Sequence, residues 1–387
     1  MTLMLSNGTI HSTAEPYAEA MLVEQGQVTW LGSDETAARL AGEGVRSQDL
    51  DRGLVAPGFV GLVGLTVQQA DPGTVSEVLN VAVRGLGYTA LRLRLDLQLA
   101  DLVPSRADAL RKALQAAAER PADVWPVLAL HGLAADGGAP SISPVNELLD
   151  LAEFLDSDET AEAACLRRTA VSLDLPEVLP NLLGVRSWCS EAGRQLLLNC
   201  SAADPGVAVE AMVTTTKHLR ELKQAPHPGT PTVLVGFDSA ERSHWEQLLN
   251  TGAHVLLTGP GHLGTALSVG VPTAAAPAEG ENPWQLISRH VHHSADPVSV
   301  RAGFNAQTRG AYRSLPQAAP SAGQLNPGAE ATFAVWEVES LAVQTPNSTV
   351  SAWSTDTRAR TPLLPFLEAD QATESLPRLV STVIRGG

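Results

Sequence analysis

The sequence predicts a mixed α/β fold: a (β/α)8 barrel of the TIM type, with a small β-sandwich domain built from both ends of the chain. From Pro57 to about Arg313, short apolar runs alternate with longer segments of helical periodicity, which is typical of a parallel sheet. Strand–helix units repeat over roughly 250 residues, the size of a closed barrel. On both sides of this region the pattern is of the β type only.

The first 56 residues have the pattern of short strands. The stretch Ala20–Gly32 holds two apolar runs on either side of Gly26, and it therefore predicts a hairpin. A short helix is expected from Ser33 to Ala41, with Ser33 or Asp34 as its N-cap. We expect residues 1–56 to form the amino-terminal part of the β domain.

Residues 57–315 are expected to form the barrel. The predicted strands, in order, are Gly58–Leu65, Tyr88–Leu97, Val124–Gly132, Arg168–Leu175, Arg194–Cys200, Pro231–Asp238, Ala253–Gly259 and Thr265–Pro272. The predicted helices are Val75–Arg84, Ser105–Glu119, Pro144–Cys165, Glu177–Ala192, Val207–Lys223, Ser239–Asn250, a weak one near Gly261, and Pro283–Arg313 with a break at Pro297. A doubly wound open sheet is the alternative that the same alternation allows.

After Arg313 the pattern returns to strands, at Gly323–Val338, Ser348–Asp356 and Leu379–Gly387. We expect residues 323–387 to pair with the amino-terminal strands and complete the β domain. The Pro- and Ala-rich stretch Pro316–Ala322 is the expected crossing between barrel and β domain.

Composition limits the function classes. Acidic residues outnumber basic ones by 42 to 26, and the net charge of −16 would repel nucleic acid and anionic membranes. The start of the chain lacks the pattern of a secretory leader, and no apolar stretch is long enough to span a membrane, so we expect a cytoplasmic protein. Cys165, Cys189 and Cys200 form no CxxC pair and are expected to be reduced, buried thiols.

The stretches Ala18–Gly32, Leu54–Val60 and Gly323–Val338 resemble the amidohydrolase superfamily, in its formamide-deformylase-like branch (amidohydrolase type 3). The first two resemble that family's entry into its barrel, and the third resembles its return into the β domain, with Thr332 where an acidic residue is usual. The resemblance implies hydrolysis of C–N or C–O bonds by a divalent metal that activates water at the carboxyl end of the barrel.

The metal ligands that this resemblance implies are missing from the sequence. An Asp-x-His-x-His pattern should end the first strand, a carboxylated lysine may lie on the fourth, histidines should end the fifth and sixth, and an aspartate should end the eighth. The matching, vacated positions are Gly61, Val63, Leu65, Asn199, Phe237 and Gly270. The three lysines, Lys112, Lys217 and Lys223, all fall on predicted helices. We therefore expect no metal and no other cofactor.

Polar residues at the predicted strand ends mark a barrel-mouth pocket, because the active sites of such barrels form at that rim. The candidates are Arg94, Asp96, His131, Asp174, Asn199 and Asp238. Arg92, Arg94 and Asp96 alternate and share one face of the second strand, as an anion site or as an internal ion-pair cluster. A His–Asp pair could perform acid–base chemistry without a metal.

Two other motifs have ordinary explanations. The cluster Arg289–His293 is expected to be solvated or to cap a helix near Pro297, with an adventitious metal as the alternative. The stretch Thr258–Thr265 is glycine-rich but lacks the ending of a phosphate-binding loop, and it is expected to be a turn at the rim.

Three functions are compatible with these observations. The first is a degenerate, metal-free amidohydrolase-like protein with a binding, scaffold or regulatory role, holding a small molecule in the barrel mouth. The alternative is an active hydrolase of C–N bonds other than peptide bonds, with a site rebuilt from rim residues such as His131, Asp174 and Asp238. The third is a structural subunit of a hetero-complex. The chain could also form a homo-oligomer.

Overall fold

The computed structural model describes residues 2–42, 44–98, 104–120, 122–132, 164–165, 167–346 and 361–386. The predicted helix Pro144–Cys165 lies almost wholly outside the described residues, and the predicted strand Ser348–Asp356 lies wholly outside them. No helix of the described part is both long and apolar enough to cross a bilayer.

The strands, in chain order, are β1 Thr2–Ser6, β2 Thr9–Ile10, β3 Ala20–Glu24, β4 Gln27–Gly32, β5 Val45–Asp49, β6 Leu54–Pro57, β7 Phe59–Thr66, β8 Tyr88–Gln98, β9 Asp123–His131, β10 Ala170–Asp174, β11 Leu196–Asn199, β12 Val233–Val235, β13 His254–Leu257, β14 Thr273–Ala275, β15 Phe333–Glu337, β16 Leu341–Ala342, β17 Leu364–Pro365 and β18 Arg378–Val383. The helices are α1 Asp34–Leu40, α2 Pro72–Leu86, α3 Pro104–Ala118, α4 Leu175–Val178, α5 Leu182–Glu191, α6 Pro205–Glu221, α7 Arg242–Leu248, α8 Leu263–Val269, α9 Pro283–Val291, α10 Val300–Gln307 and α11 Arg309–Arg313.

Strands β7 to β14 form one parallel sheet in which each strand pairs with the next along the chain. Its inner face is apolar near the amino ends, where Val60 of β7 and Ala274 of β14 belong to one buried cluster. The first and last strands therefore approach each other, and the sheet is curled. No hydrogen-bonded ladder joins β7 to β14, although both strands are fully described. The alternation predicted a parallel sheet with eight strands correctly, and the result is a curled, partial barrel.

Helix α11 and the segment that follows it close the amino end of this sheet. The Tyr312 hydroxyl lies 3.0 Å from the Thr89 hydroxyl, and the indole of Trp125 donates to the carbonyl of Pro316 over 2.9 Å. A guanidinium nitrogen of the buried Arg92 donates to the Ser314 carbonyl over 2.8 Å. The interior is thus filled at one end and open at the other.

The predicted eighth strand, Thr265–Pro272, is wrong. That stretch is mostly helix α8, which ends at Gly270 in the left-handed conformation (φ 94°), and the eighth strand is β14, at Thr273–Ala275. A short apolar run of this length fits a helix or a strand equally well. Gly270 ends the helix, because glycine enters that conformation without steric cost.

Strands from the two ends of the chain pair with each other. In the sheet β18-β15-β6-β2, β15 is antiparallel to both β6 and β18, with Phe333 opposite Pro57. The other sheet, β4-β3-β1-β5, contains the predicted hairpin, and Ser33 caps α1 by accepting from Thr36 N.

The two terminal sheets share one buried cluster that contains Leu5, Val23, Val55 and Phe333. Leu54 of β6 and Trp336 of β15 pack instead into the main core around the barrel helices. The sheet β18-β15-β6-β2 therefore faces two cores. A separate β-sandwich domain with the predicted boundaries stays a prediction.

Candidate functional site

A cavity of about 400 Å³ opens at the carboxyl ends of the parallel strands. Every strand from β7 to β13, and the loop after β14, contributes to its wall. The lining residues that carry polar side chains are Arg92, Arg94, Asp96, His131, Ser172, Asp174, Asn199, Ser201, Thr258 and Glu279. Five of the six predicted pocket residues, Arg94, Asp96, His131, Asp174 and Asn199, are among them.

Hydrogen bonds connect four neighbouring strands across this cavity. His131 at the end of β9 lies between two carboxylates: its Nε2 is 3.1 Å from Asp96 Oδ1, and its Nδ1 is 3.0 Å from Asp174 Oδ2. Arg94 Nε donates to the other oxygen of Asp96 over 3.1 Å, and Asn199 Nδ2 donates to the other oxygen of Asp174 over 2.7 Å. We call these five residues the His131 network.

The His131 network favours the charged imidazolium. Burial by itself lowers the pKa of His131, but its hydrogen bonds to Asp96 and Asp174 and the charges of those carboxylates raise it, and the net pKa lies above the ordinary value. An ionised carboxylate only accepts hydrogen bonds, so a ring that is bonded to two of them donates from both nitrogens. About a third of the His131 side chain remains accessible from the cavity.

The remaining rim candidate, Asp238, does not line the cavity. Its carboxylate accepts from Gly259 N over 2.9 Å and from the Thr258 hydroxyl over 3.2 Å. It therefore fixes the glycine-rich turn after β13. Residues 258–262 form the rim turn that the sequence predicted, but Leu263–Thr265 already belong to helix α8.

The predicted register of the first strand is wrong by one residue. Leu62 and Gly64 of β7 face the cavity. Gly61 faces outward against the Tyr88 ring, and Val63 and Leu65 are buried in the outer core. Successive strand residues point to opposite faces, so a shift of one residue exchanges the two sets.

Two other positions matched to metal ligands also lie elsewhere. Phe237 is 1% exposed and packs edge-on against Trp245, with ring centroids 5.3 Å apart. Gly270 is the cap of α8, as described above. The loop after the true eighth strand instead brings Glu279 to the cavity, and the sequence analysis missed this residue because it misplaced the strand.

Arg92 lies deeper in the cavity, on the same face as Arg94 and Asp96, as predicted. It donates to neutral acceptors, Gln195 and Ser314, and burial lowers the pKa of Arg92 to about 10. Arg94 and Asp96 form the expected ion pair. This face of β8 therefore holds one ion pair, Arg94–Asp96, and one buried cation, Arg92, whose partners are neutral.

The histidine cluster lies at the end of α9, outside the cavity. His292 Nε2 is 2.9 Å from the Leu367 carbonyl, and His293 Nδ1 accepts from Asp296 N over 2.9 Å. His290 is only 1% exposed, contrary to the expectation of a solvated group, because the apolar face of α9 carries it inward. The three cysteines are buried and form no disulfide with one another, as expected.

A divalent metal of the type that the fold family implies does not fit the residues present. Leu62 and Gly64 hold the cavity-facing positions of the first strand and offer no donor atom. Within the described ranges, no group of three or more His, Cys, Asp or Glu side chains is arranged to hold a metal ion. Both nitrogens of His131 are already engaged by carboxylates.

No family model matches the chain, and no curated protein matches it in sequence. Solved structures share its fold. A triazine hydrolase from Arthrobacter aurescens is 13% identical, covers 100% of this chain and 94% of its own, and superposes with a TM-score of 0.65. The guanine deaminase of E. coli is 14% identical over 100% of this chain and 98% of its own, with a TM-score of 0.61.

The atrazine chlorohydrolase of Arthrobacter aurescens TC1, solved in complex with zinc, is 14% identical over 99% of this chain and 94% of its own, with a TM-score of 0.62. An environmental amidohydrolase from the Sargasso Sea also superposes, with a TM-score of 0.63 at 12% identity. At these identities the likeness shows the fold alone.

Proposed function

We propose that this chain is a hydrolase of C–N bonds other than peptide bonds, with an acid–base site rebuilt around the His131 network. The observation that carries the proposal is His131 itself: an accessible imidazole, bonded to Asp96 and Asp174, at the carboxyl rim of a barrel-type sheet. This edge is where the catalytic residues of such barrels lie.

The His131 network contains both a general base and a general acid for hydrolysis. A flanking carboxylate, Asp96 or Asp174, accepts a proton from water as the water oxygen bonds to the substrate carbon. The C–N bond breaks with its electron pair on nitrogen. One N–H of the His131 imidazolium turns from its carboxylate to the substrate and gives that nitrogen a proton. Acid–base catalysis of this kind contributes about 10²- to 10⁴-fold to a rate. The raised pKa of His131 favours the protonated form that this step needs.

The cavity and the structural neighbours support a small-molecule substrate. A volume of about 400 Å³ falls in the range of small-ligand sites. The neighbours include a triazine hydrolase and a guanine deaminase, and both are enzymes by name. No step is assigned to a metal, because the cavity-facing residues of β7 carry no donor atoms.

A degenerate, non-catalytic binding protein is the second candidate. Leu62 and Gly64, which have no ligand atoms, favour it. On that hypothesis the barrel mouth still binds a small molecule, and the chain acts as a regulatory or scaffold protein, alone, as a homo-oligomer or with a partner. The cytoplasmic location and the absence of a bound metal stay predictions under both candidates.

Metal content and turnover, measured together, test the proposal. Protein purified without chelators is assayed for amine or ammonia release from guanine, atrazine and N-formyl amides, while zinc, manganese, iron and nickel are counted per chain. We expect turnover of at least one of these C–N compounds with metal well below one atom per chain. We expect His131→Gln to slow it by about 10²- to 10⁴-fold.

His292→Gln is the matched control, because His292 lies outside the cavity and binds only a backbone carbonyl. Thermal unfolding of both variants excludes a folding defect. Turnover that disappears with chelation, with one metal per chain, would contradict the metal-free site. Ligand binding without turnover of any compound would favour the degenerate protein.

A further inference from the structure

A second cavity, of about 730 Å³, lies at the opposite, amino end of the sheet. It is formed where β13 and β14 begin, between the end of α8 and the helices α10 and α11. We call it the amino-end groove. Its wall includes His254, Arg309 and Arg313 and the apolar residues Leu267, Val271 and Ala306.

The lining of the amino-end groove is cationic and contains no Asp or Glu. Arg309 and Arg313 are four residues apart on α11, so they share a face. Both are exposed, and no ion pair within the described part of the chain engages either of them. Two uncompensated guanidinium groups in one groove are notable in a protein whose net charge is −16.

A third guanidinium adds to the positive potential. Arg92 is buried in the barrel interior, and its bonds go to Gln195 and Ser314, which are neutral. The pKa of His254 falls to about 4, first because of burial and then because of the charges of Arg92 and Arg313. Two guanidinium groups thus act on the His254 ring.

We propose that the amino-end groove binds a small molecule through a phosphate group, held by Arg309 and Arg313. A guanidinium offers two parallel N–H donors that match phosphate oxygens, and it is always charged. The apolar wall formed by Leu267, Val271 and Ala306 faces the rest of the ligand. The volume is within the range of small-ligand sites.

This site is separate from the His131 network. His254 begins strand β13, whereas the residues of that network end their strands. Binding at the groove therefore does not depend on whether the barrel mouth is catalytic, and the two proposals can fail independently.

Calorimetric titration of the full chain with phenyl phosphate tests the proposal, because this probe combines a phosphate with an apolar ring. We expect saturable binding, tighter than that of inorganic phosphate. Arg309→Gln and Arg313→Gln should each weaken it by at least about 10-fold, since a charge-assisted hydrogen-bond pair contributes that much. The His254 imidazole resonance should shift on binding in the wild-type chain.

Arg301→Gln is the matched control: Arg301 is an exposed arginine on the neighbouring helix α10 but does not line the groove. Its affinity for phenyl phosphate should equal that of the wild type. Three outcomes would overturn the proposal: no saturable binding of phenyl phosphate, no shift of the His254 resonance, or an equal loss of affinity in all three variants. Each would mean that Arg309 and Arg313 do not form a specific phosphate site.

Discussion

The Nδ1 atom of His131 lies 3.0 Å from Oδ2 of Asp174, across the pair of parallel strands β9 and β10. The two residues are 43 positions apart in the chain. Parallel pairing brings their strand ends to the same edge, and Asp96 reaches the other ring nitrogen from β8. The two carboxylates stabilise the protonated ring of His131, so the ring can act as an acid.

Removing one of these carboxylates should lower the pKa of His131. We expect Asp174→Asn to move the titration of the His131 ring to lower pH, because an amide keeps the shape but loses the charge. NMR titration of the ring carbons measures the pKa of His131 directly. Asp204→Asn, at the N-cap of α6 and away from the network, is the control. An unchanged His131 titration in Asp174→Asn would remove Asp174 from the network.

The stability that His131 contributes should decline as pH rises. Its folded-state pKa is raised, so the contribution is fully present below the unfolded value of 6.5 and is lost as pH rises through the folded value. In urea unfolding, the free-energy difference between wild type and His131→Gln should therefore be larger at about pH 5.5 than at about pH 9. A difference that is constant or grows with pH would mean that the ring is not held as imidazolium.

His290 should have the opposite effect on acid stability. Burial, followed by the charges of His293 and Arg289, lowers its pKa from 6.5 to about 4 in the folded state. The unfolded chain therefore binds one more proton between these values, and stability falls by about 1.4 kcal/mol per pH unit for this group as pH falls. We expect His290→Leu to flatten the urea-derived stability profile between pH 6.5 and 4. His227→Leu, at an exposed histidine, should leave the slope unchanged.

Two glycine substitutions should have opposite effects on stability. A Cβ at Gly61 would lie 2.4 Å from the Tyr88 ring, so Gly61→Ala should destabilise the protein by about 1–3 kcal/mol. Gly85 is helical, exposed and has open space at its Cβ, so Gly85→Ala should stabilise it by about 0.5–1 kcal/mol. Urea unfolding of both variants is the measurement. Equal effects would show that β7 does not pack as described.

The sequence predicted the parts of the structure that depend on local periodicity. The alternation of apolar runs and helical segments gave seven of the eight sheet strands, and the Gly26 turn and the Ser33 cap fall as expected. Polar residues at strand ends gave Asp96, His131, Asp174 and Asn199, because the carboxyl ends of parallel strands meet at one edge.

Only the tertiary structure decided which face of β7 lines the cavity and where the eighth strand lies. Buried parallel strands are apolar on both faces, so Phe59–Thr66 carries no local signal that separates Leu62 and Gly64 from Val63 and Leu65. The run before Gly270 is equally apolar as helix or strand, and packing against its neighbours selected the helix. The sequence by itself determined that polar groups gather at one rim, and the folded sheet determined that His131 lies between two of them.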